Sequence, residues 1–447
     1  MRLQLIGSGT GSDSLNSDIV TSARATMFSS FNAIKNNVLK NRILVENFTF
    51  LSVLQVSNLV LFIITIPYLF RVVGSQNYGL IVFAQTVAFY FSILINFGFN
   101  LTATRDVSVN RNDPAKVSEI LSAVLSLKVI LFFISLLLMV SAVFISTEVY
   151  NHRFLFIFSM AACLSDALFP IWYFQGIEKM KYITFINVTT RIVATVMVFI
   201  LILKPADYLF YPLIMGSGMI AGSITGLVIV LKGHSVKFRF QPVSVLRSYF
   251  NDNLLYFLSN VSTQIYVNAN KIIIGSFLGM VSVAYYDVAD KVINILKVPY
   301  SLLGQTLFPK VSRDRDVVFL RKILAWLVLG TAGMIIIIFL ASPWLVKFFS
   351  GSVNENSVWI LRILSFSLLP ISVSLIYGDL VLINFGLKNE YAKLRFMGLF
   401  IYVMFITISS LMIWPVEIHL CICLVIVETF IALFSYKYCK RSGITLS

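Results

Sequence analysis

The stretch Val129-Ile130-Leu131-Phe132-Phe133-Ile134-Ser135-Leu136-Leu137-Leu138-Met139-Val140-Ser141-Ala142-Val143-Phe144-Ile145 decides the fold class. Apart from two serines it is apolar on every face. Read back to Glu119, it exceeds the roughly 20 residues that cross a hydrocarbon core about 30 Å thick. Runs of the same kind recur along nearly the whole chain. Of 447 residues, 58% are hydrophobic and 12% charged, against about a quarter charged in a soluble domain. A soluble globule is therefore excluded. The runs lack the period-2 alternation of outer-membrane strands, so their backbone polar groups must be satisfied inside helices. The chain reads as an all-α polytopic membrane protein.

Outward from that run, twelve spans are expected: 48–70, 79–101, 119–145, 154–174, 182–203 and 208–231, then 253–275, 283–304, 322–341, 358–383, 393–413 and 419–436. Lys and Arg are distributed unevenly over alternate sides. The tails and the loops after even-numbered spans, with the span-end residues Lys322, Lys393 and Arg395, hold 25, whereas the other side holds only Arg71, Arg153, Lys204 and Lys347. Basic residues stay cytoplasmic, so both termini are expected there. The same topology accounts for the net charge of +15, which in a soluble protein would suggest nucleic acid; no nucleic-acid partner is expected. The chain divides into a polar cytoplasmic tail (1–46), an N-lobe (47–231), a cytoplasmic linker (232–252), a C-lobe (253–436) and a short C-terminal tail (437–447). Met27 offers a second start, which would make 1–26 an upstream extension. The outer loops are short, the longest running over 342–357.

The midpoint linker invites a search for repeats, and three weak matches share nearly one offset. Gly74 and Ala84 match Gly279 and Ala289. Arg105-Asp106-Val107-Ser108 matches Lys310-Val311-Ser312, and Gly176, Lys179 and Tyr182 match Gly386, Lys388 and Tyr391. Together they favour two six-helix lobes. An even number of spans per repeat makes the repeats parallel, related by a pseudo-two-fold axis along the membrane normal.

Ionisable side chains cost roughly 2.5 to 3.5 kcal/mol at mid-bilayer, so those present face a cavity or a partner. Lys128, Asp166, Arg191, Lys271, Asp287, Asp290, Lys291, Lys297, Arg362, Asp379 and Glu428 all fall within spans. At about 1.5 Å rise per residue, Asp166 and Arg191 share one depth in adjacent spans and are expected to be able to pair. Lys271 and Asp287 share a depth near the outer face. Span 8 carries Asp287, Asp290, Lys291, Asn294, Lys297 and Ser301 on one helical face, and span 7 carries Asn260, Gln264, Asn268 and Lys271. These are two polar walls that should line water. Internal ion pairs are the structural alternative, and Lys297 and Arg362 could equally snorkel to an interface. Gln55, Asn58 and Pro67 make span 1 a candidate bent or broken helix. A cavity of this kind suits an anionic substrate, with a buried carboxylate carrying a coupling proton.

Catalytic and cofactor chemistry is not visible. His152, His234 and His419 match no metal spacing, nor do Cys163, Cys421, Cys423 and Cys439. Gly7-x-Gly9-x-Gly11 follows no strand and lacks the phosphate-loop lysine. No cofactor and no metal are expected, and transport energy would come from an ion gradient, membrane potential or substrate gradient.

Three segments carry a family resemblance. Pro67-Tyr68-Leu69-Phe70-Arg71-Val72-Val73-Gly74 with Tyr78-Gly79 resembles the first hairpin of the bacterial polysaccharide transporters known as O-antigen flippases. Asn96-Phe97-Gly98-Phe99-Asn100-Leu101-Thr102-Ala103-Thr104-Arg105-Asp106 resembles their helix 2 end. Pro170-Ile171-Trp172-Tyr173-Phe174-Gln175-Gly176-Ile177-Glu178-Lys179-Met180 resembles their helix 4 to 5 junction. The similarity spans about 45–440. It implies membership of the multidrug, oligosaccharidyl-lipid and polysaccharide exporter superfamily, with lobes opening alternately to either side. It further implies an undecaprenyl-diphosphate-linked oligosaccharide as substrate, turned to the periplasmic leaflet of the bacterial inner membrane. Where similar members often carry an acid before the span 7 lysine, this chain has Asn270.

The expected function is that of a non-enzymatic flippase in O-antigen or related polysaccharide biosynthesis. Its partners would be the lipid-linked glycan, membrane lipid, and a glycan polymerase with its chain-length regulator. Lys128, Arg191, Lys271, Lys291, Asn294 and Gln264 are candidate substrate contacts, with Arg71 and Arg105 at opposite mouths. Asp166, Asp287 and Asp290 are candidates for ion coupling or gating, to proton or sodium alike. A drug exporter of the same superfamily and a membrane glycan polymerase are the alternatives.

Overall fold

The computed structural model describes residues 12–145, 147–233, 236–409 and 416–444. The chain runs α1 (Ser12–Asn96), α2 (Phe99–Val109), α3 (Pro114–Ile145), α4 (Thr147–Asn151), α5 (Arg153–Leu168), α6 (Ile171–Gly176) and α7 (Met180–Leu201). A 3-10 turn (Pro205–Leu209) then leads to α8 (Phe210–Gly233). The second half comprises α9 (Val243–Leu278), α10 (Met280–Asp314), α11 (Val317–Ser350), α12 (Glu355–Ser365) and α13 (Leu368–Ser374). A π-helix (Leu375–Leu382), α14 (Lys388–Ser409) and α15 (Val416–Arg441) complete it. Among the described residues, nine helical segments are long and apolar enough to cross a bilayer, and the first of them, Glu46–Val109, is 64 residues long. Counting that segment twice about its break, and adding the more polar α9 and α10, gives the twelve crossings expected. Helices before Gly233 pack among themselves, as do those after Val243; α1 against α9, α10 and α11, and α3 against α9, carry the main contacts between the halves.

The break in α1 lies at Gly74 (φ 77, ψ 164), not at Pro67, through which the helix continues. Gly279, between α9 and α10, has φ 86 and ψ 173, so the glycines matched in sequence adopt one backbone shape. That shape is essentially restricted to glycine. A β-carbon at either position meets nothing within 4 Å, so the penalty for Gly74→Ala or Gly279→Ala is backbone strain alone, about 1–3 kcal/mol. Each variant should lower the melting temperature of the purified protein, and an unchanged melt would show the turn relaxes freely.

The third repeat match needs a shift of two residues. At the α6–α7 junction Lys179 N donates to Phe174 O (2.9 Å), and Leu387 N donates to Leu382 O (2.8 Å) before α14. These are equivalent helix-ending turns. The left-handed residue is Glu178 (φ 57) in one and Gly386 (φ 90) in the other. Gly176 is not the counterpart of Gly386; its missing side chain makes room for Val107, whose Cβ would lie 2.7 Å from an added methyl.

Three expected spans are interrupted. Phe97 (φ 41) and Gly98 (φ 82) separate α1 from α2, Pro170 separates α5 from α6, and the stretch expected as 358–383 divides into α12, α13 and the π-helix. Such π segments concentrate at functional sites. The outer connection expected over 342–357 is mostly helical, leaving 351–354 between α11 and α12. In the interior connection, Lys237 N donates to Ser118 Oγ (3.0 Å) and Arg239 N to Ser122 Oγ (2.9 Å), fastening it along α3. Of the 1–46 tail, residues 1–11 lie outside the described residues, as does His234.

Candidate functional site

The two glycine-tipped hairpins meet at their tips. A β-carbon on Gly79 would stand 1.7 Å from the carbonyl oxygen of Met280, and one on Gly275 would stand 2.3 Å from the Phe83 ring. Phe70 packs against Tyr285 with ring centroids 5.7 Å apart. Arg71, expected at a mouth, donates to Phe348 O at 3.0 Å and so ties α1 to α11 at this end.

Eight residues below the tip Gly279, about 12 Å along the helices, a chain of charges begins at Lys271 and Asp287. Lys271 Nζ is 2.8 Å from Asp287 Oδ1 and 2.9 Å from Asp290 Oδ2, and Lys291 Nζ is 3.0 Å from Asp287 Oδ2. The depth match of Lys271 with Asp287 is thus a direct ion pair. Tyr78, from the opposite half, donates to Asp287 Oδ2 at 2.7 Å and accepts from Lys291 Nζ at 3.3 Å. Lys291 also lies over the Phe62 ring, 4.9 Å from its centroid. Asn294 donates to Asp290 at 3.1 Å. Tyr78 was not among the residues expected, although it stands beside Gly79, whose lack of a side chain brings the halves close enough for the contact.

Small cavities surround this chain and share walls. One of about 190 Å³ touches Lys271, Asp287 and Lys291. A second, about 320 Å³, touches Gln55, Asn58, Arg191, Lys271, Lys291 and Asn294. A third, about 220 Å³, touches Asn58, Lys128, Asp166 and Arg191. Together they form a cleft between α1 and α10 with α7 and α3 behind, walled by Lys128, Arg191, Lys271 and Lys291 against Asp166 and Asp287, while Asp290 holds Lys271 from behind. From the polar face of α10, Asp287, Lys291 and Asn294 line it. Gln264 reaches the cleft only through Asn268, which donates to its Oε1 at 3.1 Å.

Asp166 and Arg191 line the same cavity without pairing. Asp166 accepts from Ser92, whereas Arg191 donates to Asn58 Oδ1 at 2.8 Å. Equal depth fixes height on two helices but not the direction each side chain faces. Arg362 also stands apart: it donates to Ser342 Oγ at 2.9 Å and covers the Phe339 ring.

At the end remote from the hairpin tips the halves meet again. Phe97 lies stacked between Phe250 and Phe257, with centroids 4.3 and 4.4 Å away, and Thr102 donates to Asn253 Oδ1 at 2.5 Å. Beside this clasp opens a vestibule of about 1220 Å³, walled by α2, α9, α10, the π-helix and α14. Arg105 sits at its rim, paired with Asp106 at 2.9 Å. Arg395, at the edge of the expected span 393–413 and not among the charges singled out from sequence, reaches into it and binds Asp379 (3.2 Å), Tyr266 (3.1 Å) and Tyr391 (3.3 Å).

Asn270 is buried away from the cleft. Its amide nitrogen donates to Tyr286 Oη (2.8 Å) and Leu420 O (3.3 Å), and its oxygen accepts from Tyr402 (2.5 Å). A carboxylate could not make those two donations, so the site suits the amide. Among the described residues no group of His, Cys, Asp and Glu could hold a metal ion.

Comparison with known proteins adds to this geometry. The model of a family described as "Polysaccharide biosynthesis protein" matches residues 44–314. A protein of Escherichia coli (strain K12) named "Putative O-antigen transporter" is 30% identical over 356 residues, covering 78% of this chain and 86% of that one. A protein of the same name from Shigella dysenteriae is 25% identical, covering 80% and 91%. Among solved structures, lipid II flippase MurJ in an inward closed conformation superposes with a TM-score of 0.71 at 14% identity, over 89% of this chain and 87% of that one. An inward-facing MATE multidrug resistance transporter of the MOP superfamily gives 0.61 at 14% identity, over 86% and 97%. These likenesses show the fold, a polytopic helical bundle of two lobes.

Proposed function

Because the chain belongs to the polysaccharide biosynthesis protein family, we propose that it is a flippase for an undecaprenyl-diphosphate-linked oligosaccharide. It would turn the repeat unit from the cytoplasmic to the periplasmic leaflet of the bacterial inner membrane, with both termini cytoplasmic. The lobes 47–231 and 253–436 would rock about the linker 232–252, opening the cleft to each side in turn. The observation that carries this reading is the cleft itself, where Lys128, Arg191, Lys271 and Lys291 face Asp166 and Asp287 between the halves. A diphosphate supplies the missing negative charge, and its oxygens compete with Asp287 for Lys271 and Lys291. Asp287 and Asp290, released from those lysines, and Asp166 would then be free to take up a coupling ion. The lipid tail stays in the bilayer throughout, because only the polar head has to leave hydrocarbon.

Lys291→Ala tests the cleft. Asp287 keeps Lys271 and Tyr78 in that variant, so the protein should fold and reach the membrane. Surface glycan should nonetheless disappear, with complete lipid-linked repeat units accumulating on the cytoplasmic face. Normal glycan display would remove Lys291 from the site. Repeat units reaching the periplasmic face unpolymerised would overturn the flippase reading, and movement of soluble cations by proteoliposomes without any polyprenyl lipid would favour a drug exporter.

A further inference from the structure

Asn96 and Asn100 line both the cationic cavity of Lys128 and Arg191 and the large vestibule near α14. The two spaces therefore share a neck. Asn100 donates to Asn96 Oδ1 at 3.3 Å, while its own Oδ1 is buried with no hydrogen-bond partner. An unpaired buried acceptor is costly unless a ligand or water supplies the donor.

The vestibule differs in chemistry from the cleft. Its two cations are already matched, Arg395 by Asp379 and two tyrosines and Arg105 at the rim by Asp106, which leaves little for a phosphate. Instead it presents the rings of Tyr256, Tyr391 and Phe396, with Asn260 beside them. Tyr256 and Phe396 are each 43% exposed and both line the vestibule, so their rings are open to what enters it. A pyranose has an apolar C–H face that suits an aromatic ring and hydroxyls that both donate and accept, as amide side chains do. Along α10, Lys291 in the cleft and Ser301 in the vestibule are ten residues apart, about 15 Å.

We propose that this vestibule is the glycan subsite: it holds the sugar repeat on Tyr256, Tyr391, Phe396 and Asn260, with Asn100 Oδ1 accepting a hydroxyl at the neck, while the diphosphate occupies the cleft. The proposal rests on the flippase reading and divides the substrate between two chemically distinct chambers. Sugar selectivity then resides mainly in the C-lobe helices α9 and α14, separate from the cations that recognise the lipid carrier.

Two soluble probes test it on the purified full chain: the lipid-free oligosaccharide repeat released from the host's own surface glycan, and farnesyl diphosphate. Phe396→Ala and Asn260→Ala change residues open to the vestibule, and their melting temperatures report folding. Each should weaken oligosaccharide binding about fivefold to tenfold, the loss expected for one ring or amide contact, and leave farnesyl diphosphate affinity within about twofold. Weakened farnesyl diphosphate binding instead would assign the vestibule to the prenyl chain and overturn the proposal. Farnesyl diphosphate binding without any oligosaccharide binding would overturn it too, with the flippase reading intact. If neither probe bound the wild-type protein, both would fall together.

Discussion

Asp287→Ala should destabilise the protein by about 3 kcal/mol, the scale for removing one member of a buried ion pair. The carboxylate is fully buried and serves Lys271, Lys291 and Tyr78 at once. Without it, Lys271 keeps Asp290, but Lys291 loses its sole carboxylate partner within 4 Å among the described residues. The stranded ammonium is the main cost, so removing it should restore stability. The double variant Asp287→Ala/Lys291→Ala should melt above Asp287→Ala alone, and Asp290→Ala should be milder than either. Thermal unfolding in detergent reads these three variants beside Lys291→Ala and the wild-type protein. Strict additivity of the two single changes would show that Asp287 and Lys291 are not energetically coupled.

Gly79→Leu should abolish transport while leaving every charged residue in place. The added side chain begins 1.7 Å from the Met280 carbonyl, and both atoms belong to helices that cannot yield locally. The hairpin tips must separate, which biases the lobes away from the closed arrangement at this end. A cysteine pair at Phe70 and Tyr285, whose rings now lie 5.7 Å apart, reports the change through a short bifunctional thiol reagent. Cross-linking should be efficient in the otherwise native protein and fall severalfold with Gly79→Leu. The four native cysteines are buried and should not interfere. Undiminished cross-linking would mean the helices slide past one another without parting.

Continuous apolar runs made the helices and their number legible, because composition alone decides whether a segment enters a membrane. The charged face of α10 was legible for the same kind of reason: polar residues at three- and four-residue spacing define a direction as well as a depth. Depth alone was a poorer guide. It paired Lys271 with Asp287 correctly, yet Asp166 and Arg191, equally level, turn to Ser92 and Asn58. Arg395 was hidden by lying near the edge of an apolar window, although α14 begins at Lys388 and carries it nearly two turns inward. The π-helix left no trace in the sequence, since Leu375 to Leu382 is almost wholly apolar and an apolar run has no period to disturb. Tyr78 reads as an ordinary core aromatic until the second hairpin is set against the first.

The fastening of the interior connection to α3 sets a mechanical limit. Ser118 and Ser122 hold the backbone at Lys237 and Arg239, and α9 begins at Val243. Only four residue steps remain to absorb displacement between the two halves, and a fully extended chain reaches at most about 14 Å in all over that length. While the serine bonds hold, the tether caps the stroke of α9 relative to α3. Alanine at both serines would lengthen that leash without touching either chamber.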